Sequence, residues 1–521
     1  MHTERIYLSL INNCNEGGEL SEESRGTPRM KVINRRQMLM RPVNVEELVE
    51  ADHPVRAVWD LVGRLDLSRF YDEIAAVEGV AGRPAMDPSL MISLWIYGYS
   101  EGVSSAREIS RLCGYHPAYQ WLTAMEPVNY HSLSDFRVEH REALRELFVQ
   151  VLGVLSSEGL VTLQRVMHDG TKVKACASGK SFRRQGRIQT HLRLAREQVK
   201  ALEEVSEEEM TVRVEKARQR AAREKQARLE SAVEELEKIR AGKEGAEAKK
   251  EARVSESDPE ARIMKQSDGG FAPSYNVQIS TDAAAGIIVG VGVEQSGSDQ
   301  GQLVKAIERV EENVGNLPRQ VVVDGAFTTG ETILAMSAKG IDLIGGFAQD
   351  KAVSAGRFER RGIAPEFRPE FFIYEASSDR YICPTGKTLT YVGKQQHCGR
   401  IRYAYQALAS DCQTCAFKKQ CCPEAKGGRA IKRTELVPAV AEFKSKMETE
   451  EAKKIYRQRA QVAEFPNAWL KSKIGLRQFR LRGLIKVTIE GMWACLTYNV
   501  QQWIRLRWRL QDGLSGALKK A

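Results

Sequence analysis

The sequence predicts an α/β fold, a mixed sheet flanked by helices and preceded by an all-helical region, on three observations. From about Val45 to Ser156 apolar residues recur at helical spacing. Between residues 161 and 350 short runs rich in valine and isoleucine alternate with amphipathic segments. From Ile188 to about Ala246 the composition turns abruptly to Glu, Lys, Arg, Ala and Leu. At 521 residues the chain exceeds one simple core, and 42% hydrophobic content suffices to bury sizeable ones.

Residues 1–44, polar and rich in Gly, Ser and Glu, read as a partly disordered leader. Residues 45–160 read as a helical region, in HPVRAVWDLVGRL, DPSLMISLWIYGY, SAREISRLCGYHPAYQWL and SDFRVEHREALRELFVQVLGVL. Asp87-Pro88 and Ser134-Asp135 look like helix starts. Short helices joined by tight turns fit a helix-turn-helix-like DNA reader, and fit equally a domain that packs on its neighbour. LQRVMHDGTKVKACAS reads as a strand or a hairpin of two, with Asp169 closing an apolar run and Gly170 serving a turn.

Residues 188–257 read as an inserted antiparallel helical hairpin with a coiled-coil seam. Leu192, Ala195, Val199 and Leu202 line one arm and Leu229, Val233, Leu236 and Ile239 the other, with SEEE at Ser206–Glu209 as a capping box. SYNVQIS and GIIVGVGVEQ form a strand pair, DQGQLVKAIERVEENVG a helix, and PRQVVVDGAF a buried strand ending in Asp324. TGETILAMSAKG is a further helix and IDLIGGF a further strand. With the hairpin set aside, this order matches a ribonuclease-H-like fold with its core in 161–187 and 258–350. A cysteine-rich insertion at 351–435 and C-terminal helices at 436–521 complete it.

A net charge of +10 and a pI near 9.0 point to an anionic partner, nucleic acid before an acidic membrane surface, or to a soluble basic enzyme. The longest apolar stretch, Leu90–Tyr99, is far short of the ~20 residues a bilayer requires. The N-terminus lacks a secretory pattern, so the cytoplasm is the expected setting. Five of the ten cysteines crowd between Cys398 and Cys422, which reads as metal binding before disulfides. Cys412 and Cys415 form a close ligand pair for structural Zn²⁺. Cys383 and Cys421 would complete four thiolates, with Cys422 able to replace Cys421, and Cys398 or His397 able to replace Cys383. Cys14, Cys113, Cys176 and Cys495 stand singly and read as core or loop residues.

Asp169 and Asp324 repeat one context, an apolar strand followed by aspartate and glycine. Neighbouring carboxylates repel and burial raises their pKa, so such pairs are usually offset by divalent cations. Two ions, Mg²⁺ or Mn²⁺, would serve phosphodiester chemistry. A third acid is expected from the last helices at Glu464, although Pro466 predicts a helix break beside it. Lys471, Lys473, Arg477, Arg480 and Arg482 follow as candidate phosphate contacts. His168 reads as packing rather than chemistry. The C-terminal tryptophans read as core, and the arginines among them as phosphate contacts.

HDGTKVKACAS, VVVDGAFTTGETI and YRQRAQVAEFPNAWLKSKIGLRQFRLRG resemble the three acidic motifs of bacterial insertion-sequence DDE transposases. ADHPVRAVWDLV and NYHSLSDFR resemble the helical region that precedes the catalytic domain in one subgroup, and SESDPEARIMKQSDGGFAPSYNVQISTD its middle segment. The resemblance covers roughly Val45 to Arg505. It implies a metal-binding triad of Asp169, Asp324 and Glu464, with Lys471 as the lysine that follows the glutamate. It favours Cys383, Cys412, Cys415 and Cys421 as the zinc set. It also implies binding of terminal inverted repeats and target DNA, Mg-dependent strand cleavage and transfer, a homodimer in the active complex, and no membrane partner. An inactive, transposase-derived DNA-binding protein and a nuclease without strand transfer are the competing readings. Two departures stand out. Gly325-Ala326-Phe327 replaces a common Gly-Tyr pair, and the spacing from Arg459 to Glu464 is one residue longer than the commonest form.

Overall fold

The computed structural model describes residues 42–74, 84–203, 213–346, 358–397, 400–425 and 427–508, together with residues 36, 38, 40 and 76. The chain falls into two units, Met1–Asn44 and Val45–Ala521, and the architecture that follows is that of the second. The expected leader, with Cys14, lies almost wholly outside the described residues, and so does Ser206–Glu209.

Helices Pro54–Val62, Pro88–Ser100, Ala106–Cys113, Tyr130–Glu139 and Arg141–Ser157 dominate the first stretch. Asp87 caps as its sequence context predicts, accepting the Ser89 N–H at 2.8 Å with Pro88 in the first turn. The start expected at Ser134-Asp135 is corrected. Asn129, in extended backbone, accepts the His131 N–H at 2.9 Å and opens the helix, so Ser134 and Asp135 lie inside it. Pro88–Ser100 is apolar nearly all round because it packs between Pro54–Val62 and the C-terminal helix Leu484–Trp503. No described helix is long and apolar enough to cross a membrane.

The main sheet has strands β1 (Arg165–Lys174), β2 (Arg262–Lys265), β3 (Phe271–Asp282), β4 (Ile287–Glu294), β5 (Gln320–Val323) and β6 (Asp342–Gly345). Its hydrogen-bonded order is β2-β3-β1-β5-β6, with β4 also paired to β3. The pairs β1–β3 and β3–β4 are antiparallel, whereas β1–β5 and β5–β6 are parallel. Helix Gln302–Val314 joins β4 to β5, and Gly330–Ala338 joins β5 to β6. This mixed sheet is consistent with a ribonuclease-H-like core. Strand β2 is an addition to the expected order.

One apolar cluster runs from Val55, Trp95 and Phe148 of the first helices to Val277 and Ile279 of β3 and Trp493 of the C-terminal helix. The helical region therefore shares its core with a sheet face. Trp493 and Trp503 are buried, as expected of core residues. Arg507 donates to the Glu158 carbonyl at 2.6 Å, a protein partner where a phosphate contact was expected. Asn499 closes the edge of β4: its amide both donates to and accepts from the Ile288 backbone at 2.8 Å.

Helices Gln185–Glu203 and Arg213–Ala241 pack together through Leu192 and Ala195 against Leu229, and Ile188 against Ala232 and Leu236. In the cysteine-rich stretch, strands Ile373–Glu375, Arg380–Ile382, Thr388–His397, Arg400–Ala407 and Ala430–Leu436 form an antiparallel sheet. Helix Glu450–Ser472, called the site helix below, then runs unbroken through Pro466, correcting the expected break. Proline forfeits one backbone hydrogen bond there. Ala463, Pro466, Asn467 and Leu470 are buried, and that packing offsets the loss.

Candidate functional site

Strands β1 and β5 set the site. They pair in parallel with Arg165 opposite Gln320, Val166 opposite Val321 and Met167 opposite Val322. The same offset, carried two residues further, sets Asp169 opposite Asp324, on strands whose usual spacing is ~4.8 Å. Side chains alternate, so Asp169 leaves the sheet on the face of Met167, and Asp324 is near enough to act on it electrostatically. That face packs against Ala452 and Ala463 of the site helix.

The turn expected at Gly170 is corrected, because β1 continues to Lys174. The parallel partner β5 ends at Val323, but antiparallel β3 keeps pairing, with Asp169 opposite Ile279 and Gly170 opposite Gln278. Asp169 thus stands where one neighbour leaves and the other stays.

The Asp169 carboxylate accepts the Gly170 N–H at 2.9 Å and the Asn467 side-chain amide at 3.1 Å, with Arg459 at 4.0 Å. Burial pushes its pKa up to about 6. Asp324 and Asp299 push the same way, against Arg459 and the Gly170 N–H. Asp324 follows β5 directly and accepts the Ala326 N–H. Phe327, in the departure from the Gly-Tyr pair, is buried and meets the His168 ring edge-on at 4.9 Å between centroids.

Glu464 is exposed. At 100° per residue it lies about 60° round the site helix from Asn467 and about 20° from Lys471. Burial pulls the Lys471 ammonium pKa down, and Asp169 opposes that fall. Asp169 therefore neighbours both Asp324 and Lys471, whereas Glu464 is exposed. Among the described residues no group of three or more His, Cys, Asp or Glu is gathered closely enough to hold a metal ion. The aspartate pair still suits Mg²⁺: two oxygen donors stand near each other, and Asp169 carries the raised pKa that a cation would relieve.

Behind β1, on the opposite sheet face, lies a polar network that sequence reasoning missed. Asp299 accepts from Asn276 at 2.7 Å, Gln278 at 2.9 Å and Lys172 at 3.2 Å. Gln278 donates to Asp299 and so offers its carbonyl to His168 Nε2 at 2.9 Å, which makes Nε2 the protonated nitrogen. His168 Nδ1 then accepts from Ser280 at 2.9 Å. Burial pushes the His168 pKa down to about 4. His168 is thus a neutral packing residue, as expected. A Cβ on Gly170 would stand 2.5 Å from Asp299 Oδ1 and 2.6 Å from Gln278 Nε2. We predict that Gly170→Ala lowers stability by about 1–3 kcal/mol. A denaturant midpoint equal to wild type would show that the network yields.

Lys473, Arg477, Arg480 and Arg482 are exposed on the segment between the site helix and the C-terminal helix. That segment is joined to the end of β1: the Lys174 N–H donates to the Arg477 carbonyl at 3.1 Å, and the Phe479 N–H to the Lys174 carbonyl at 2.8 Å.

In the cysteine-rich sheet, Cys383, Cys412, Cys415, Cys421 and Cys422 line one cavity of about 20 Å³. The Cys383 sulfur accepts the Lys387 N–H and the Cys412 sulfur accepts the Arg429 N–H, both at 3.2 Å. Burial pushes the Cys421 thiol up to about 12 and raises Cys422, which also touches Cys412 and Cys421. Thiolates are the ligand type that Zn²⁺ takes, but these sulfurs are not gathered closely enough to hold an ion as they stand, and binding would also have to displace their protons. Cys398 lies outside the described residues. Of the single cysteines, Cys113 and Cys495 are buried and Cys176 is half-buried.

Two family models match the chain. A transposase DDE domain covers residues 382–504, and a transposase domain of the DUF772 type covers residues 43–139. The first includes Glu464 and Lys471; Asp169 and Asp324 lie outside both. No curated protein matches the chain. The mixed sheet, and transposase matches toward both ends, point to a transposase of the DDE class. More narrowly, the two matches indicate an insertion-sequence DDE transposase.

Proposed function

We propose that this transposase binds the terminal inverted repeats of its element and cuts and joins DNA strands, with Asp169, Asp324 and Glu464 as ligands of two Mg²⁺ or Mn²⁺ ions. The observation that carries the reading is the parallel register of β1 and β5, with Met167 opposite Val322, whose offset continued two residues brings Asp169 level with Asp324. When bound, the ions would activate the attacking oxygen and stabilise the leaving one. The chain's own part is to aim the carboxylates and hold the phosphate. Asn467 and the Gly170 N–H fix the Asp169 carboxylate. Glu464, about 20° from Lys471 on the helix, completes the triad by a side-chain rotation toward the aspartates. Lys471 and the cations at 473, 477, 480 and 482 hold the DNA backbone. Strand transfer reuses the same site, with the freed 3′-hydroxyl attacking target DNA.

The further parts of the proposal are a homodimer as the active complex, helices of residues 45–160 and the hairpin as contributors to end binding and assembly, and Zn²⁺ on Cys383, Cys412, Cys415 and Cys421. The exposed position of Glu464 favours one second reading, a catalytically silent DNA binder. Incubation with duplexes carrying the element ends separates the two. The proposal expects cleavage and joined products that require Mg²⁺ or Mn²⁺ and vanish in Asp324→Asn. Binding without cleavage in either metal would favour the silent binder, and cleavage without joined products a nuclease.

A further inference from the structure

The segment from Lys473 to Gly483 carries most of the cations assigned to DNA, and where they point depends on its backbone. Four of the five amides from Arg480 to Leu484 donate to carboxylates from elsewhere in the chain. The Arg480 N–H is shared by both oxygens of Glu490 at 3.1 Å, and the Leu481 N–H reaches the same carboxylate at 3.0 Å. The Gly483 N–H donates to Asp258 at 3.1 Å and the Leu484 N–H to Glu260 at 2.7 Å. Asp258 and Glu260 belong to the SESDPEAR stretch, which the catalytic reading leaves without a role.

These carboxylates are not surface decoration. Glu490 is 1% exposed and Asp258 is fully buried. A buried carboxylate is costly unless it is paired and hydrogen-bonded. Glu490 meets that cost with the two amides and the electrostatic attraction of buried Arg137. Asp258 also accepts the Tyr275 hydroxyl at 2.7 Å. The outward groups are steadied as well: Arg480 Nε donates to Ser104 Oγ at 2.7 Å and Arg482 Nε to the Cys176 carbonyl at 3.0 Å. Arg480 attracts the Glu490 carboxyl electrostatically and Arg482 that of Asp258, each opposing the rise that burial imposes on its pKa.

We infer that Glu490, Asp258 and Glu260 are positioning residues that fix this backbone, so that Arg480 and Arg482 meet a DNA phosphate at a set distance from Asp169. The inference rests on the proposal that these arginines contact DNA.

Hydrogen exchange and DNA affinity of the full-length protein test it together, with a fluorescent random-sequence duplex as the probe. In Glu490→Ala the amides of Arg480 and Leu481 should exchange at least about tenfold faster while the site helix keeps its protection. Affinity should fall about tenfold, and Glu490→Gln, which keeps an acceptor oxygen for both amides, should restore most of it. If Arg480→Ala with Arg482→Ala binds like wild type, the DNA reading of the segment falls and the inference with it. If that pair weakens binding but Glu490→Ala changes neither exchange nor affinity, the positioning role alone is overturned. Should Glu490→Ala fail to fold, Glu260→Ala at a half-buried site must release the Leu484 amide and weaken binding, and no change in either overturns the inference.

Discussion

Asp169→Asn should abolish strand cleavage and, in the metal-free protein, raise stability. The loss follows from the proposed metal clamp: charge stabilisation worth several kcal/mol corresponds to about a thousandfold or more in rate. The gain follows from burial. A carboxyl whose pKa rises from 3.8 to about 6 holds its proton more tightly in the fold than in the unfolded chain. Its ionised form therefore opposes folding. That cost is absent below the unfolded value, grows as pH rises from there toward 6, and is fully present above about 6. Two pKa units bound it at about 3 kcal/mol near neutral pH, and asparagine, which still accepts the Gly170 N–H, should recover about 1–2 kcal/mol. Denaturation in a chelator at neutral pH checks this, and the gap between variant and wild type should narrow near pH 5. With saturating Mg²⁺ the order should shift toward wild type, since only the wild-type site gains from binding. A variant less stable than wild type in the chelator would show that Asp169 is not under the inferred strain.

The second large effect is expected at the cysteines. The purified transposase should carry one zinc per chain, and Cys412→Ser should lose it together with the order of the sheet from Ile373 to Leu436. Cys421 and Cys422 sit in the small apolar cluster of that sheet, beside Phe367, Leu389 and Tyr405. So small a core has little stability of its own, whereas structural zinc contributes on the order of 10 kcal/mol at neutral pH. Metal analysis and limited proteolysis read both consequences. A metal-free protein whose sheet resists protease equally in wild type and Cys412→Ser would remove zinc from the account.

What could be read in the sequence was whatever a local pattern encodes. The repeated strand-Asp-Gly context picked out Asp169 and Asp324 because both strands are apolar and buried. The polar face of β3, with Ser274, Asn276, Gln278 and Ser280, sat in plain view inside SYNVQIS. Its partners His168 and Asp299 did not, because they come from other elements. Gly170 looked like a turn because Asp-Gly usually is one, and nothing nearby announces that β3 keeps pairing beyond it. Pro466 argued for a break that sheet packing overrides. Ser134-Asp135 read as a helix start, and the extended backbone of Asn129 places the start earlier. Asp258, Glu260 and Glu490 were illegible for a plainer reason: two of the four amides they bind are more than two hundred residues away, and the other two lie in the segment between the helices.

Anomalous diffraction from crystals soaked in Mn²⁺ tests most directly whether Asp169, Asp324 and Glu464 share a metal site. The account predicts a peak about 2.1 Å from oxygens of Asp169 and Asp324, with Glu464 turned inward to join them when an element-end duplex is bound. A DNA-bound crystal with no manganese between the two aspartates, or with Glu464 still exposed, would contradict it.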